Sequence, residues 1–550
     1  MSSFDSNGNY NKTNWKTGDK ITADKLNKIE ESLEIINNND IERHKEVDER
    51  LDALEEQKEV IEEELNNKAT KDEVHDRLDV VEGDINIISE ELNSLTPYIS
   101  DFEDLKDMIE NSKNRTIHLK DCEFILYDTI NIPEDVTIIG YNTVIKNINS
   151  KPFFRINSNV TIKGVNFISD KTSYTAKCQC LQAVGEYDNF IENIRIENCS
   201  FTNIGNTAID LRFVKNSTIR DCKFKNIGYA GVGCTCVKNI LIENIYINTL
   251  YGDQNEQCYG VYFSRFEYDD FIESPPSENC TVKDSYIENS TTWEGLDTHG
   301  GTNIKFINNT IKNCKVGIVI GGSQNSSGIA IKSPEDCYAE GNHLENIAGY
   351  GISVGQGATM ESYNLYVTNN ILKNCGEYNV ATTGSIRVAP NAKNVFIENN
   401  IIIEPIENGI VFGVNTDVEI TNNIIRSLKG TGSVQYAINM LDTPAKARII
   451  GNRVNGSGTV ATNPRAFRVT GNDNEVTFRD NIAINGIDNT TFGTSGTNMA
   501  GIRLMSGLCI SAGIAEPTMS APNGSIYLRT QGEEGSTFYI RINDEWVPKF

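Results

Sequence analysis

Long apolar runs are missing from this chain of 550 residues. No stretch of about 18 apolar residues occurs, so no segment is predicted to span a membrane. The first residues, MSSFDSNGNYNKTNWKTGDK, also lack the apolar core that a secretory signal peptide needs. We therefore expect a protein that is made in a cytosol and either stays there or leaves by a route other than standard secretion.

Basic residues are outnumbered in this sequence. The chain has 50 Lys and Arg against 76 Asp and Glu, a net charge of −26. Residues 1–110 hold 13 basic and 31 acidic residues, so most of the excess charge lies there. An acidic segment repels phosphate, which argues against nucleic-acid binding by this part of the chain.

Paired Cys-x-x-Cys motifs are missing as well, although the chain has 13 cysteines. Two Cys-x-Cys pairs occur, Cys178/Cys180 and Cys234/Cys236, and most other cysteines stand singly within apolar strand patterns. We expect free, buried thiols that pack as small hydrophobic side chains. Metal binding by a Cys-x-Cys pair is the alternative.

A coiled-coil pattern extends over residues 21–95. Apolar residues recur at steps of three and four, beginning with Leu26 and Ile29, and charged residues flank them. This 3.5-residue period predicts a coiled coil that ends at Pro97, and a coiled coil requires partner chains. A single amphipathic helix packed on a globular domain is the alternative.

Short β-rich segments repeat from about residue 119 onward. Aligning ten of them places Asn or Asp in one column: Asn198, Asp221, Asn244, Asp284, Asn308, Asn342, Asn369, Asn399, Asn422 and Asn452. Coils of a parallel solenoid stack equivalent residues about 4.8 Å apart, and Asn both tolerates a left-handed turn and bonds to its stacked neighbour. The pattern predicts a mainly β protein built as a right-handed parallel β-helix.

The C-terminal segment breaks the repeat. APNGSIYLRTQGEEGSTFYIRINDEWVPKF alternates like a hairpin or small sheet, with turns at Asn523–Gly524 and near Gly532–Gly535. We expect it to cap the solenoid or to join chains. The predicted order is an N-terminal segment over 1–20, a coiled-coil stalk over 21–96, a linker or cap over 97–118, the β-helix over 119–485 and a small β domain over 486–550.

Histidine and tryptophan are scarce, with five and three residues, yet one of each lies in WEGLDTHGG at 293–301. A second alignment of the repeats predicts one inward column: Ile209, Val232, Val261, Leu296, Ile318 and Ile352. Side chains alternate along a strand, so Asp297 and His299 are expected on one outer face, with Glu294 at its edge. These three are the candidate catalytic residues.

The surroundings of this motif predict a binding groove. The 40-residue step from Asn244 to Asp284 inserts a long segment directly before the motif. Loops on a rigid scaffold often hold functional residues, and aromatic side chains suit stacking on sugars. The candidate substrate-binding residues are Trp293, Tyr262, Asp253, Glu256, Arg265, Asp210 and Arg212.

The candidate catalytic residues fit several chemistries. A histidine beside a carboxylate can act as general acid or base near neutral pH. Two carboxyl groups about 5–5.5 Å apart suit retaining glycoside hydrolysis, and about 6.5–9.5 Å suits inversion. Asp210 and Asp297 lie three coils apart, roughly 14 Å, which excludes that pair. The motif also suits a divalent cation such as calcium or magnesium, ligand binding without catalysis, or a polar turn without a catalytic role.

Three segments carry a resemblance: NWKTGDKITADKLNKIE at 14–30, EGLDTHGG within the repeat, and PNGSIYLRT with FYIRINDEWV in the C-terminal segment. On these segments the chain resembles tail-spike and tail-fibre proteins of phages that infect Gram-positive bacteria. NWKTGDKITADKLNKIE at 14–30 is similar to the N-terminal segment of such tail-fibre and baseplate proteins. EGLDTHGG, within the repeat, resembles the pectate-lyase-like β-helix of tail spikes, and PNGSIYLRT with FYIRINDEWV resembles a tail-fibre ending. Polygalacturonases have adjacent aspartates and a Gly-His-Gly, whereas here Thr298 precedes His299 and the nearby adjacent aspartates are Asp269–Asp270.

This resemblance implies a homotrimer of the virion, made in the host cytoplasm and attached to other tail or baseplate proteins through its N-terminus. It implies neither a nucleic-acid partner nor membrane insertion. It also implies that the β-helix recognises, and often cleaves as a hydrolase or lyase, a surface polymer such as teichoic acid or capsular polysaccharide. A non-catalytic receptor-binding fibre and a structural baseplate component are the alternatives.

Overall fold

The computed structural model describes one helix, many β-strands and their connections within residues 102–549. Short gaps separate the described residues at 121, 172, 254, 266–273, 325–329, 356–359, 378–379, 381, 431–433, 442–444, 470–475, 486, 488–489, 493–499, 504–508, 514–515, 518–520, 522, 530–532 and 534. The predicted N-terminal segment and coiled-coil stalk, 1–96, lie outside the described residues.

The helix and strands follow one another in a regular order. Helix α1 is Phe102–Glu110, and β1–β10 are Arg115–Lys120, Glu123–Leu126, Ile130–Ile132, Val136–Asn147, Phe154–Ile156, Thr161–Ser169, Leu181–Val184, Ile191–Glu192, Arg195–Glu197 and Ser200–Ile204. Strands β11–β23 are Ile209–Arg212, Val214–Arg220, Lys223–Ile227, Ala230–Thr235, Lys238–Glu243, Tyr246–Leu250, Tyr259–Ser264, Glu278–Lys283, Tyr286–Glu288, Glu294–His299, Thr302–Ile307, Thr310–Lys312 and Val316–Gly321. Strands β24–β37 are Ser323–Gln324, Ala330–Lys332, Glu335–Glu340, His343–Ile347, Ile352–Val354, Ser362–Thr368, Ile371–Cys375, Gly384–Val388, Ala392–Glu398, Ile401–Ile403, Asn408–Phe412, Thr416–Thr421, Ile424–Arg426 and Gln435–Met440. Strands β38–β48 are Ala445–Ile450, Arg453–Asn455, Pro464–Val469, Val476–Arg479, Ile482–Ile484, Thr490–Phe492, Ala500–Arg503, Cys509–Gly513, Ile526–Arg529, Phe538–Ile542 and Glu545–Pro548.

The chain divides into two compact units. The described residues of the first unit fall in 102–170 and 193–202, and those of the second in 171–192 and 203–549. In the first unit, α1 buries Phe102, Leu105 and Ile109. Its strands β1, β4, β6 and β9 pair in parallel, so the parallel architecture begins within the segment predicted as a linker or cap, 97–118.

Each coil of the second unit contributes three strands. Strands β18, β19 and β20, for example, pair in parallel with β15, β16 and β17 of the coil before. They pair in the same way with β21, β22 and β23 of the coil after. This confirms the prediction of a mainly β chain with stacked parallel strands, and the third strands form one parallel sheet, here named sheet III. In the second unit, sheet III runs through β7, β11, β14, β17, β20, β23, β28, β31, β34, β37, β40 and β43.

The Asn/Asp column predicted from the sequence combines two neighbouring columns of the structure. The first contains residues with positive φ that make the turn: Asn198, Asp221, Asn244, Asp284, Asn308, Gly341, Asn369, Asn399, Asn422 and Gly451. The predicted members Asn342 and Asn452 were wrong by one position. Glycine occupies the turn in those two coils because it adopts a left-handed conformation without a steric cost.

The second column is a stack of amides that directly follows the turn, buried in all coils named here except the last, where Asn481 is half-buried. From Asn309 the stack continues through Asn342, Asn370, Asn400, Asn423, Asn452 and Asn481, and each Nδ2 donates to the Oδ1 of the next residue at 2.9–3.1 Å. Each stacked amide is thereby satisfied by the coils on either side, as buried polar groups require. Turn formation and amide stacking are therefore performed by different residues.

The C-terminal residues depart from the parallel pattern. Strand β44 pairs antiparallel with β45, and β46 pairs antiparallel with β47, which pairs antiparallel with β48. The predicted hairpin is confirmed, with Gly524 and Gly535 at positive φ near the predicted turns. Tyr527 and Tyr539 pack edge to face at 6.1 Å, with Trp546 against them.

Cysteine burial agrees with the prediction from the sequence. The twelve cysteines whose side chains the structure describes are free, and eleven of these are buried. Several thiols donate to backbone carbonyls of their own coil, as Cys280 does to Glu278 at 3.1 Å. Within the described residues, the helix is too short and too polar to cross a membrane.

Candidate functional site

The strand register of sheet III places the WEGLDTHGG motif within the repeat. The inward column consists of Ile209, Val232, Val261, Leu296, Ile318 and Ile352, paired in this order. All six side chains are fully buried, which confirms the alignment made from the sequence. The outward column next to it is Gln182, Asp210, Gly233, Tyr262, Asp297, Val319, Ser353 and Arg387.

The three candidate catalytic side chains come together at β20. His299 Nε2 lies 3.3 Å from Asp297 Oδ2. One donor atom each from Glu294, Asp297 and His299 lies within 4.8 Å of the others. Glu294 reaches this cluster because it stands at the start of the strand, where the chain turns into sheet III.

Burial differs sharply among these three residues. Asp297 is 0% exposed and Glu294 4%, whereas the His299 side chain is 27% exposed. The expectation that Asp297 and His299 share an accessible outer face therefore holds only for His299. The outward side of sheet III is sheltered near the motif, as the burial of Val319 and Ser353 also shows.

Burial controls the protonation of Glu294. Removal from water, followed by the negative charge of Asp297, raises the pKa of Glu294 well above its ordinary value. His299, a hydrogen bond from the Trp293 side chain and Lys315 act in the opposite direction without overcoming these causes. Glu294 Oε2 is buried and has no hydrogen-bond partner among the described residues, which agrees with a neutral carboxyl group.

Protonation of Glu294 has a consequence for stability. A carboxyl group whose pKa is raised by folding stabilises the protein below its ordinary pKa, and this stabilisation is lost as pH rises through the raised value. In chelator-containing buffer, we expect Glu294→Gln to melt close to wild type at about pH 5 and a few degrees above it at about pH 9. A melting-temperature difference that is the same at both pH values would contradict a neutral Glu294.

Aromatic side chains surround the cluster. The Tyr259 ring lies 6.4 Å from the His299 ring and perpendicular to it. Tyr259 and Tyr262 pack at 5.3 Å, and Tyr229 packs against both. The sequence reasoning identified Tyr262 but missed Tyr229 and Tyr259. In the strand register Tyr259 pairs with Ala230 of the coil before and Glu294 of the coil after, and Tyr229 directly precedes Ala230.

Trp293 is fixed from the neighbouring coil. Lys315 Nζ lies 4.9 Å from the centre of the Trp293 ring, a distance typical of a cation–π contact. Trp293 is half-buried, so part of its ring remains available to a ligand. The sequence reasoning did not select Lys315.

Asp210 and Arg212 form an ion pair within sheet III. Arg212 Nε donates to Asp210 Oδ1 at 3.0 Å and its Nη2 to Oδ2 at 2.9 Å, and Gln182 also donates to Oδ2. Asp210 is 1% exposed, while the Arg212 side chain is 36% exposed. Asp210 therefore orients Arg212 rather than contacting a ligand itself.

The insertion residues hold their own segment together. Asp253 Oδ1 accepts hydrogen bonds from the backbone of Asn255 and Gln257 and so closes a turn. Arg265 is buried and donates to the Ser274 hydroxyl at 3.2–3.3 Å. Glu256 is exposed at a positive φ of 64°. Residues 266–273 of the inserted segment, which include Asp269 and Asp270, lie outside the described residues.

Gly233 makes room for the Tyr262 side chain. A Cβ at Gly233 would lie 2.5 Å from the Tyr262 hydroxyl, so the ring covers the position that a side chain would fill. Burial, and then the charge of Asp210, raises the pKa of Tyr262 well above its usual value, so this hydroxyl stays a donor.

The contact at Gly233 predicts a coupled pair of substitutions. Gly233→Ala forces the Tyr262 ring to move and is expected to cost about 1–3 kcal/mol of unfolding free energy. In a Tyr262→Ala background the methyl group added by Gly233→Ala displaces no ring, so the same change is expected to cost much less unfolding free energy. Urea unfolding of the four variants measures the coupling. Equal costs in both backgrounds would show that Tyr262 does not occupy this space.

The cluster also suits a cation. One imidazole nitrogen and two carboxylates are a donor set that fits zinc or manganese better than calcium, which prefers six to eight oxygens. Without a cation, the partly exposed His299 beside the buried Asp297 suits general acid–base chemistry. Both chemistries use Glu294, Asp297 and His299.

Comparison with known proteins identifies the architecture. The model of the right-handed beta helix region matches residues 179–327, 255–425 and 323–483, which together span more than half of the chain. No curated protein sequence matches the chain.

Several solved structures are similar at low identity. An α-1,3-glucanase of Streptomyces thermodiastaticus aligns over 72% of this chain and 65% of its own, just under two thirds, at 14% identity and a TM-score of 0.44. A mannuronan C-5 epimerase module of Azotobacter vinelandii aligns over 70% and 96% at 14% identity and a TM-score of 0.43. The tailspike protein of E. coli bacteriophage HK620 aligns over 68% and 72% at 11% identity and a TM-score of 0.40.

Proposed function

This chain belongs to the right-handed β-helix family, and on that premise we propose that it is a tail spike of a phage of Gram-positive bacteria. In this proposal it forms a homotrimer of the virion and binds and cleaves a polymer of the cell surface, teichoic acid or capsular polysaccharide. The observation that supports cleavage is the cluster of Glu294, Asp297 and His299, in which a partly exposed imidazole lies against two buried acidic side chains.

His299 is the member of the cluster that contacts the polymer in this proposal. Its Nε2 faces Asp297 Oδ2 at 3.3 Å, so a neutral ring that donates from Nε2 has Nδ1 as its proton acceptor. A buried carboxylate in this position stabilises the imidazolium that forms when the ring takes a proton. His299 would take the proton from an attacking water in a hydrolase, or from a sugar carbon in a lyase.

Asp297 and Glu294 are positioning residues in this proposal, because neither is accessible to a polymer. Asp297 orients the His299 ring and stabilises its positive charge. Because Glu294 is neutral, it adds no second negative charge beside Asp297 and His299. Trp293, Tyr262 and Arg212 are the half-buried residues we assign to polymer binding. We assign the buried Asp210 to holding Arg212 and Arg265 to holding the insertion.

The proposal is tested by treating purified wall teichoic acid and capsule of a Gram-positive host with the full-length protein. Products are sized with added calcium or magnesium, with zinc, and with a chelator, and adsorption to cells is measured in parallel. Shortened polymer supports a depolymerase, and the chelator arm shows whether a cation takes part. Adsorption without shortening would instead identify a non-catalytic receptor-binding fibre. Absence of both would leave a structural baseplate component.

A further inference from the structure

A second group of polar and aromatic residues lies on sheet III, on coils after the motif, and two of its arginines belong to the outward column. The outward column continues from Arg387 of β31 through Val411 and Asn439 to Arg468 of β40. Arg387 and Arg468 are therefore three coils apart, roughly 14 Å along the solenoid. Asp297 and Arg387 are separated by the same number of coils.

Tyrosine rings hold these arginines in place. The Arg465 and Arg468 guanidinium carbons each lie 5.9 Å from the centre of the Tyr436 ring, and Arg465 Nη1 lies 3.5 Å from the Tyr436 hydroxyl. The Arg387 guanidinium lies 4.9 Å from the centre of the Tyr350 ring. These distances are in the cation–π range, and a guanidinium over a ring can still form bidentate bonds to a phosphate or carboxylate.

Several cations of the second unit are paired with a carboxylate, and within the described residues Arg387 and Arg468 are not among them. Arg212 has Asp210, and Lys373 and Lys312 share Glu345. Among the residues that the structure describes, no ion pair involves Arg387 or Arg468, although both are half-buried. A partly desolvated cation without a carboxylate favours a bound anion, here in a chain whose net charge is −26.

We propose that Arg387, Arg465 and Arg468, set on Tyr350 and Tyr436, form a binding site for the repeating anionic groups of a linear polymer. The ligand class is a polyhydroxylated chain bearing phosphodiesters or carboxylates. The site rests on the proposed function, because it lies on the same face as His299 and takes another part of the same polymer. It makes anionic polymers the substrate class.

The test measures binding in a His299→Ala background, so that cleavage does not shorten the probe. The probes are poly(glycerol phosphate) teichoic acid, polygalacturonate and neutral dextran. Arg465→Ala/Arg468→Ala is expected to weaken binding of at least one anionic probe about tenfold or more, and to reduce its dependence on salt. The matched control is Arg426→Ala/Arg448→Ala, which removes the same charge from exposed positions outside sheet III.

The variant Arg465→Lys/Arg468→Lys separates a loss of binding from a folding defect. It keeps the two positive charges but not the guanidinium groups, so it is expected to bind with intermediate affinity. The inference is wrong, and the proposed function stands, if the His299→Ala parent protein binds an anionic polymer and the variant that also carries Arg465→Ala/Arg468→Ala binds it equally well. Both are wrong if the parent binds none of the probes. A changed oligomeric state of the double variant in light scattering would assign this face to a subunit contact and overturn the inference.

Discussion

Replacing His299 by alanine is expected to lower polymer cleavage by about two to four orders of magnitude while leaving polymer binding largely intact. The reason is that His299 is the exposed member of the cluster, whereas Asp297 and Glu294 are buried beneath it. Initial rates of product formation, with binding measured separately, check the expectation. His343→Ala is the matched control, because this half-buried histidine lies on a different strand position, between Thr310 and Ile371.

Asp297→Asn separates positioning from mere structural support. The amide keeps the size of the side chain and removes the charge that stabilises an imidazolium, so cleavage should fall and its pH profile should shift. A variant that merely loosened the fold would lower the rate without moving the profile. If Asp297→Asn weakens binding and leaves the rate per bound polymer unchanged, the cluster is a binding site and not a catalytic one.

Replacing Asn400 by alanine is expected to destabilise the solenoid by about 3 kcal/mol or more. Asn400 Oδ1 accepts from both the backbone and the side chain of Asn370 at 2.9 Å, and its Nδ2 donates to the Val367 carbonyl at 2.8 Å and to Asn423 Oδ1 at 2.9 Å. Alanine leaves several of these buried groups without partners. The urea dependence of unfolding, followed by circular dichroism, gives the free energy.

An exposed asparagine provides the control for this experiment. Asn394 also belongs to a stack, donating to Asn364 at 3.1 Å, but it is exposed and at a positive φ of 52°. Asn394→Gly keeps the turn conformation and loses one solvated hydrogen bond, so a change within about 1 kcal/mol is expected. Similar losses for both variants would contradict the special role of the buried amides.

The repeat could be read from the sequence because its physical cause is periodic. Every coil needs an aliphatic residue at the level of Leu296 and a turn residue with positive φ, so both columns recur through the chain. The alignment was nevertheless wrong by one residue in two coils. Glycine replaces Asn in the turn at Gly341 and Gly451, and the stacked Asn342 and Asn452 are the next residues in the chain. Two columns of Asn side by side cannot be separated by residue type alone.

The site was harder to predict because burial is not periodic. Alternation along β20 correctly places Asp297 and His299 on one side, but the shelter over Asp297 depends on neighbouring side chains and not on the strand pattern. The arginines on Tyr350 and Tyr436 were missed for a different reason. Their coils lie far from the motif in sequence, and it is the register of sheet III that brings Arg387 and Arg468 into its outward column.

The chain length of a purified surface polymer, measured before and after incubation with the wild-type protein and with the His299→Ala variant, tests the central claim most directly. We predict that wild type shortens teichoic acid or capsular polysaccharide and creates new chain ends, while His299→Ala binds the same polymer and leaves its length unchanged over the same time. Equal shortening by both proteins, or none by wild type on a polymer that it binds, would contradict catalysis at the Glu294, Asp297 and His299 cluster.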